Sequence, residues 1–488
     1  MLRTTPATFT AFLQTIPWDT IPPSFQDAIS FARKLALPFL WIDALCIIQD
    51  DAKDWQQQSS AMADIYQGAY LTLAATSSPN AGGGCYTQMH TSPAHRSTSP
   101  LLTIHSANST RCLSARPKFI HKMSRLPLLT RAWVYQERIL SPRVLHFADE
   151  ELVWECQHAV TCECSGDNLE DRMEHARISL SNSFGLIGPH RRHPAPLDLW
   201  FQIVDEYTSL RLKFASDMLP ALSGIAKAFA ERCGGGYVAG MWRRTLVREM
   251  LWYRQEVDGS EIYRGEVRPW RAPSWSWVSR DWPADFRVLP TTREIAQVLD
   301  VSCQPAGADP TGQLESATLT LRTKVLRARF EIGSRTIDLF SGDLKIPQAV
   351  FQETSYILSE LCTGYLDFDE QYQPDILLAQ IAECSGDCRM FLAGLPAPVH
   401  VTQEVLSFML LARREEREEG WRRVGLATIA AYEPDSSSFA CLTSEERCKI
   451  IGDKRKCERP RVSDESAEWK RALFQRLNDS EMQDLLVW

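Results

Sequence analysis

Two carboxylates sit in stretches of this sequence where their neighbours make them conspicuous. The first is Asp43, inside FLWIDALCIIQDD at 39–51, where nine of the first ten residues are apolar. The second is Glu137, inside RAWVYQERILS at 131–141. On a helix, Trp133 and Glu137 are neighbours at i and i+4. An indole beside a carboxylate makes a half-apolar pocket that stacks a flat ring and raises the carboxyl pKa. A carboxylate so placed can stabilise the oxocarbenium-like state that forms when a glycosidic bond breaks. The plainer fate of Glu137 is an ion pair with Arg138 or Arg131 on a surface helix. Asp43 also admits two readings. Near the carboxyl end of a parallel strand it can accept backbone N–H bonds or pair with an arginine, and Arg131 is the expected partner. Alternatively it faces a ligand bound beyond the strand ends. The structural role is the commoner one, because buried charges persist by being paired.

Positioning either group requires a defined set of elements. SFQDAISFARKLA at 24–36 places Phe25, Ala28, Ile29, Ala32, Leu35 and Ala36 on one helical face, with Ser24 as N-cap and Leu37-Pro38 as the stop. Phe39 to Ile48 then reads as a strand, since an unbroken apolar run suits a parallel strand covered on both faces. Trp55, Met62, Ile65, Tyr66 and Ala69 recur at helical spacing behind Asp50, Asp51 and Asp54, which can cap the helix and complement its dipole. AYLTLAAT at 69–76 is a second strand, and the alternating order predicts a parallel α/β layer. A strand at 101–105, a helix at 129–141 and strands at 143–147 and 151–156 follow.

Residues 165–195 are polar and read as a linker, and 197–255 read as largely helical. WRAPSWSWVSRDW, from 270, reads as a strand with Trp275 and Trp277 on one face. Beyond about 290 the pattern is β, with strands at 295–303, 317–330, 404–412 and 422–430. ARREEREEGWRR at 412–423 reads as a solvated connection, and EWKRALFQRLNDSEMQDLLVW at the end as a docking helix.

Composition narrows the function classes. The chain has 488 residues, 44% hydrophobic and 23% charged, with a net charge of −8. That balance is globular, and it argues against sequence-independent binding of nucleic acid. No apolar run reaches the roughly 20 residues of a membrane span. Fourteen scattered cysteines without a leader predict free thiols in a reducing, cytoplasmic setting. Gly82-Gly83-Gly84 lacks the Lys-Ser/Thr ending of a phosphate loop. Cys156, His158, Cys162 and Cys164 do not have common zinc-ligand spacing, so no metal is expected. Neither Gly-x-Ser-x-Gly nor His-Glu-x-x-His occurs, which removes the commonest hydrolase signatures.

Several blocks carry a family resemblance: FLWIDALCIIQDD at 39–51, MADIYQGAYLTLAAT at 62–76 with Trp55 before it, RAWVYQERILSPRVLHF at 131–147, and VWEC at 153–156. SDMLPALSGIAKAF (216–229), YVAGMW (237–242), RAPSWSWVS (271–279) and RRVGLATI (422–429) follow. In combination they resemble the fungal heterokaryon incompatibility (HET) domain family. The resemblance implies a non-self recognition protein that triggers programmed cell death, working with a protein partner and by homo-oligomerisation on activation. The first-strand motif of that family, of Tyr-Ser-Tyr-x-Trp-Gly type, has no match, so an N-terminally short domain is expected. HET domains are similar to TIR domains, a flavodoxin-like α/β fold of which some members cleave NAD. On that analogy Glu137 is the catalytic candidate, Asp43 and Trp133 are the candidates for holding the ligand, and NAD is a substrate, with no cofactor required. The expected organisation is a HET domain at 1–165, a helical segment with the WSW motif at 166–290, and a β-rich region with a terminal helix at 291–488.

Overall fold

The computed structural model describes residues 2–86, 99–106, 109–115, 126–148, 151–156, 160–163, 195–254, 270–281, 283–286, 291–332, 337–341, 344–346, 365–366, 375–390, 399–413, 421–431 and 475–487. The chain divides into two compact units: Met1–Arg232 with Gly307–Gln313, and Cys233–Ala306 with Leu314–Trp488. The first is α/β and the second is rich in strands, as expected. The linker at 165–195 (apart from its last residue), His158, Cys164 and the charged centre of 412–423 lie outside the described residues.

In the first unit, α1 (Pro6–Phe12) opens on a reciprocal capping box between Thr5 and Thr8. Helix α2 (Pro23–Lys34) starts one residue before the expected cap: Ser24 lies inside it, and Pro23, with its φ already fixed, takes the first turn. The predicted strand at 39–48 is not a strand. Phe39 is 89% exposed, and the apolar run turns into the short helix α3 (Asp43–Cys46). The backbone groups that a neighbouring strand would have paired are taken by Thr4. Its N–H donates to Ala44 O (2.9 Å), its hydroxyl to Leu45 O (2.7 Å), and its carbonyl accepts from Gln49 N (2.7 Å).

Helix α4 (Ala52–Gly68) is capped as its sequence predicts, with Asp51 accepting from Lys53 N (2.9 Å) and Asp54 N (3.1 Å). Strand β1 (Thr72–Ala74) occupies only the middle of its predicted span. After it, β2 (Ser99–Ser106) and β3 (Ser109–Ala115) form a separate antiparallel hairpin. Helix α5 (Ala132–Leu140) leads into β4 (Arg143–Phe147), β5 (Leu152–Cys156) and β6 (Val160–Cys162). The sheet order is β1-β4-β5-β6. Only β1 and β4 run parallel, and the later pairings are antiparallel.

Helices α6 (Pro196–Thr208) and α7 (Pro220–Phe229) complete the unit with a strongly apolar buried set, including Trp200, Ile203, Tyr207, Leu222 and Phe229. Helix α7 packs on α4 and α5, and the three meet at Gly224. A Cβ at Gly224 would stand 2.6 Å from Ala63 Cβ and 2.8 Å from Gln136 Oε1, and Gly224 N donates to that same oxygen (2.6 Å). Two helix backbones would have to separate to admit a methyl group. Gly224→Ala is therefore expected to destabilise the unit by about 1–3 kcal/mol, read as a lower urea midpoint at unchanged slope.

In the second unit, the expected helix through 237–254 is interrupted. Residues Tyr237–Val238 (β7) and Met241–Trp242 (β8) form a tight hairpin, followed by α8 (Leu246–Glu249) and β9 (Trp252–Arg254). Gly240 at φ +88° makes the turn that a helix cannot pass. The WSW segment is likewise no strand. Ser276 accepts from Val278 N (3.0 Å), drawing Trp277–Ser279 into a 3-10 turn. Its hydroxyl donates to Ala239 O (2.6 Å), and Trp277 Nε1 donates to Gly240 O (3.0 Å), so the motif locks the hairpin.

Glu249 in α8 is fully buried. Its Oε1 accepts from Trp242 N (2.9 Å) and Thr245 Oγ1 (2.7 Å), while Oε2 has no partner among the described residues. Burial pushes its pKa up to about 8, against the weaker pull of the two hydrogen bonds.

The predicted strands of the C-terminal region are present. They begin, in chain order, with β10 (Ala284–Phe286), β11 (Thr291–Glu294), β12 (Gln297–Pro305), β13 (Leu314–Ile332), β14 (Ile337–Ser341) and β15 (Leu344–Ile346). They continue with β16 (Tyr365–Leu366), β17 (Asp375–Met390), β18 (Val399–Arg413) and β19 (Trp421–Ala431). Of the expected terminal docking helix, described from residue 475, residues 475–479 are helical, and strand β20 (Met482–Val487) follows, because Leu485 and Val487 alternate inward at period two. β20 pairs antiparallel with β13 and touches β19 at Trp421↔Val487. Because β13 also pairs with β17, the pairings run β13-β17-β18-β19-β20 and return to β13.

Candidate functional site

Helix α5 carries Glu137, the catalytic candidate. Its start is pinned by Arg211, whose N–H donates to Thr130 O (2.8 Å) and whose carbonyl accepts from Ala132 N (3.0 Å). Its end is held by Ser141, whose hydroxyl donates to Glu137 O (2.6 Å) and meets Thr72 Oγ1 at 2.7 Å. Between these anchors Glu137 keeps partial exposure. Tyr66 on α4 and Asp43 at the start of α3 both act electrostatically on the Glu137 carboxyl group. Burial, and secondly the nearby charge of Asp43, raise the Glu137 pKa from 4.5 to about 7, while Tyr66 and Arg131 oppose the rise. The Tyr66 hydroxyl is itself pushed well above its ordinary range, chiefly by burial and then by Glu137 and Asp43.

Two aromatic pairs involve residues of α4 and α5. Trp41 meets Tyr66 edge to face at 5.7 Å, and Trp55 meets Trp133 in the same manner at 6.4 Å. Trp133 is further fixed by its Nε1, which donates to Asp217 Oδ2 at 3.0 Å. Asp43 and Glu137 are thus brought together, and Trp133 lies one helical turn from Glu137. The expected Asp43–Arg131 clamp does not form. Asp43 is exposed and accepts from Ala44 N at 2.7 Å, and among the described residues it makes no ion pair. With Asp43 at the start of α3 instead of inside a strand, nothing buries it, so no guanidinium is needed to neutralise it. The expected ion pair of Glu137 with Arg138 is absent too. Helix α5 is largely buried, and Arg138 points to the sheet.

There Arg138 Nε donates to Glu155 Oε2 (2.8 Å), and His146 Nε2 meets the same oxygen at 2.8 Å. His146 Nδ1 lies 3.0 Å from Thr76 Oγ1. Tyr135 donates to Glu206 Oε2 (2.9 Å), and burial pushes the Glu206 pKa up to about 7. These buried groups, with Tyr66 and Asp217, were missed in the sequence. A signal existed in ELVWEC, where alternation puts Glu155 on the same inward face as Val153, and a buried carboxylate requires a partner.

A carboxyl group titrating near neutrality can exchange a proton or stabilise a developing cation. Among the described residues, no three His, Cys, Asp or Glu side chains converge as a metal ion would require. No helix among them is long and apolar enough to cross a membrane.

The first unit is therefore an α/β layer with an acidic cluster on α3, α4 and α5. Residues 4–137 match the family model described as Heterokaryon incompatibility protein (HET). The match supports a HET domain over those residues and a function related to heterokaryon incompatibility. No curated protein and no solved structure matches the chain.

Proposed function

We propose that this chain is a cytoplasmic signalling protein of fungal non-self recognition, whose HET domain drives an incompatibility or cell-death response when a partner protein releases it to self-associate. The reading is carried by the family match, which spans the elements that build the α3–α5 cluster. Conditional expression of the full chain in a filamentous fungus is expected to arrest growth and admit vital dye, and hyphae that stay viable at high expression would overturn it.

A second reading is favoured by one observation, the near-neutral carboxyl of Glu137 beside Tyr66. On it the domain is a TIR-like hydrolase that takes NAD as substrate, with Glu137 stabilising the oxocarbenium-like state and Asp43 and Trp133 at the ligand. Purified full-length protein incubated with NAD is expected to release nicotinamide. Glu137→Gln should lower the rate at least about 10²-fold with thermal stability retained. Equal rates in the two proteins would assign any release to another source.

A further inference from the structure

We propose that the loop Gly307–Gln313 is a strap that restrains the HET domain, with Asp309 as its catch. The inference rests on the reading of this chain as a protein released to self-associate, and it supplies the restraint that such a release requires.

The loop joins β12 to β13, two strands of the second unit that pair up to Pro305↔Leu314, yet it packs as part of the first unit. Asp309 Oδ2 accepts from Ser223 Oγ (2.7 Å) and Lys227 Nζ (2.9 Å), both on α7. Asp309 Oδ1 accepts from Thr311 N (3.0 Å) and Thr311 Oγ1 (2.7 Å). Lys227 Nζ also donates to Ser60 O (3.3 Å), so the ammonium links the catch to α4. Gln313 Nε2 adds a bond to Ser216 O (3.2 Å). Burial alone would raise the Asp309 pKa, but the bonds from Ser223, Lys227 and Thr311 together outweigh it and hold the carboxyl below its ordinary 3.8.

This hold is polar, and that makes it releasable. Ala308 and Pro310, the apolar side chains of the loop, are exposed, whereas Thr311 is buried and Asp309 half-buried. Lifting the loop therefore gives up little apolar contact, and water can take over the bonds to the Ser223 hydroxyl. The turn is made inside the loop, by Thr311 N on the Asp309 carboxylate and Gly312 N on Asp309 O (3.1 Å), so it does not depend on docking. Its anchor, Ser223, directly precedes Gly224, where α4, α5 and α7 meet. A pull on β12 or β13 thus reaches the helix contact behind Glu137 through one residue.

Asp309→Asn keeps the shape of the catch and breaks its logic. Either orientation of the amide sets its NH2 against a donor, Lys227 Nζ on one side or Thr311 N on the other. In purified full-length protein, hydrogen–deuterium exchange of 307–313 and of α7 is expected to speed up at least about tenfold in this variant. Light scattering at equal concentration is expected to show a larger assembly than wild type. Should Asp309→Asn fail to fold, Lys227→Met removes a partner at the surface and is expected to speed exchange about two- to fivefold, with mass rising in the same direction. Unchanged exchange in the folded variant overturns the catch, and faster exchange at unchanged mass overturns the restraint. Arg138→Met is the control, since it destabilises the first unit with the strap intact. An equal rise in its mass would assign assembly to instability and sink the proposal. A variant that assembles on losing the catch but leaves hyphae viable keeps the restraint and removes only the cell-death reading.

Discussion

Replacing Arg138 by methionine is expected to remove about 3–5 kcal/mol from the stability of the first unit, which is the usual result of removing one member of a buried ion pair. Arg138 and Glu155 are 7% and 1% exposed, and the guanidinium joins α5 to β5 directly. Without it the Glu155 carboxylate loses its guanidinium partner while keeping the His146 contact, at a position that is 1% exposed. Burial alone would depress the Arg138 pKa, yet Glu155, together with Tyr135 and Glu206, outweighs it and leaves the net direction upward. The variant should show a large fall in urea midpoint. Adding Glu155→Gln in the same background removes the stranded charge and should restore part of the loss. A double-mutant cycle with strictly additive effects would mean that the pair contributes nothing as a pair.

Glu249→Gln is expected to act in the opposite direction, stabilising the second unit by about 3 kcal/mol at pH 7. The wild-type carboxyl has a folded pKa raised to about 8 from an ordinary value of 4.5. Between those two values the folded chain holds a proton that the unfolded chain has released. The folded state thus binds more protons there, and stability must fall as pH rises. Below about 4.5 both states are protonated and the penalty vanishes. Glutamine keeps the shape and the acceptor for Trp242 N and Thr245 Oγ1 but has no proton to lose. The advantage of the variant should therefore be absent at pH 4, grow across the window, and level off above pH 8. Urea titrations at four or five pH values decide it, and a constant difference would place the cause elsewhere.

Much of the first unit was legible because its signals are local. Asp51 before α4, the proline after Ser141 and the alternation in RVLHF and LVWEC each fix an element without help from the rest of the chain. FLWIDALCII misled because an uninterrupted apolar run carries no period, and helix and strand are indistinguishable in it. What decided the outcome was Thr4, some forty residues away, satisfying the backbone of 44–49. The WSW segment failed for the converse reason: a serine hydroxyl turned its own backbone, overriding the alternation of indoles. The candidate site was half legible. Trp133 and Glu137 announced themselves by spacing on one helix, whereas Tyr66 was hidden among apolar neighbours on α4. Its role depends on which helix lies opposite, and no local pattern encodes that.

The circuit of strands that returns to β13 has a kinetic consequence. Leu319 and Val487 face each other, so the ring cannot shut until the whole intervening stretch has left the ribosome. Until then β13 presents an unmatched ladder over Leu319–Lys324, the kind of surface on which nascent chains adhere to one another. Chaperone occupancy during translation should accordingly be highest after β19 emerges and drop sharply once residues 482–487 dock.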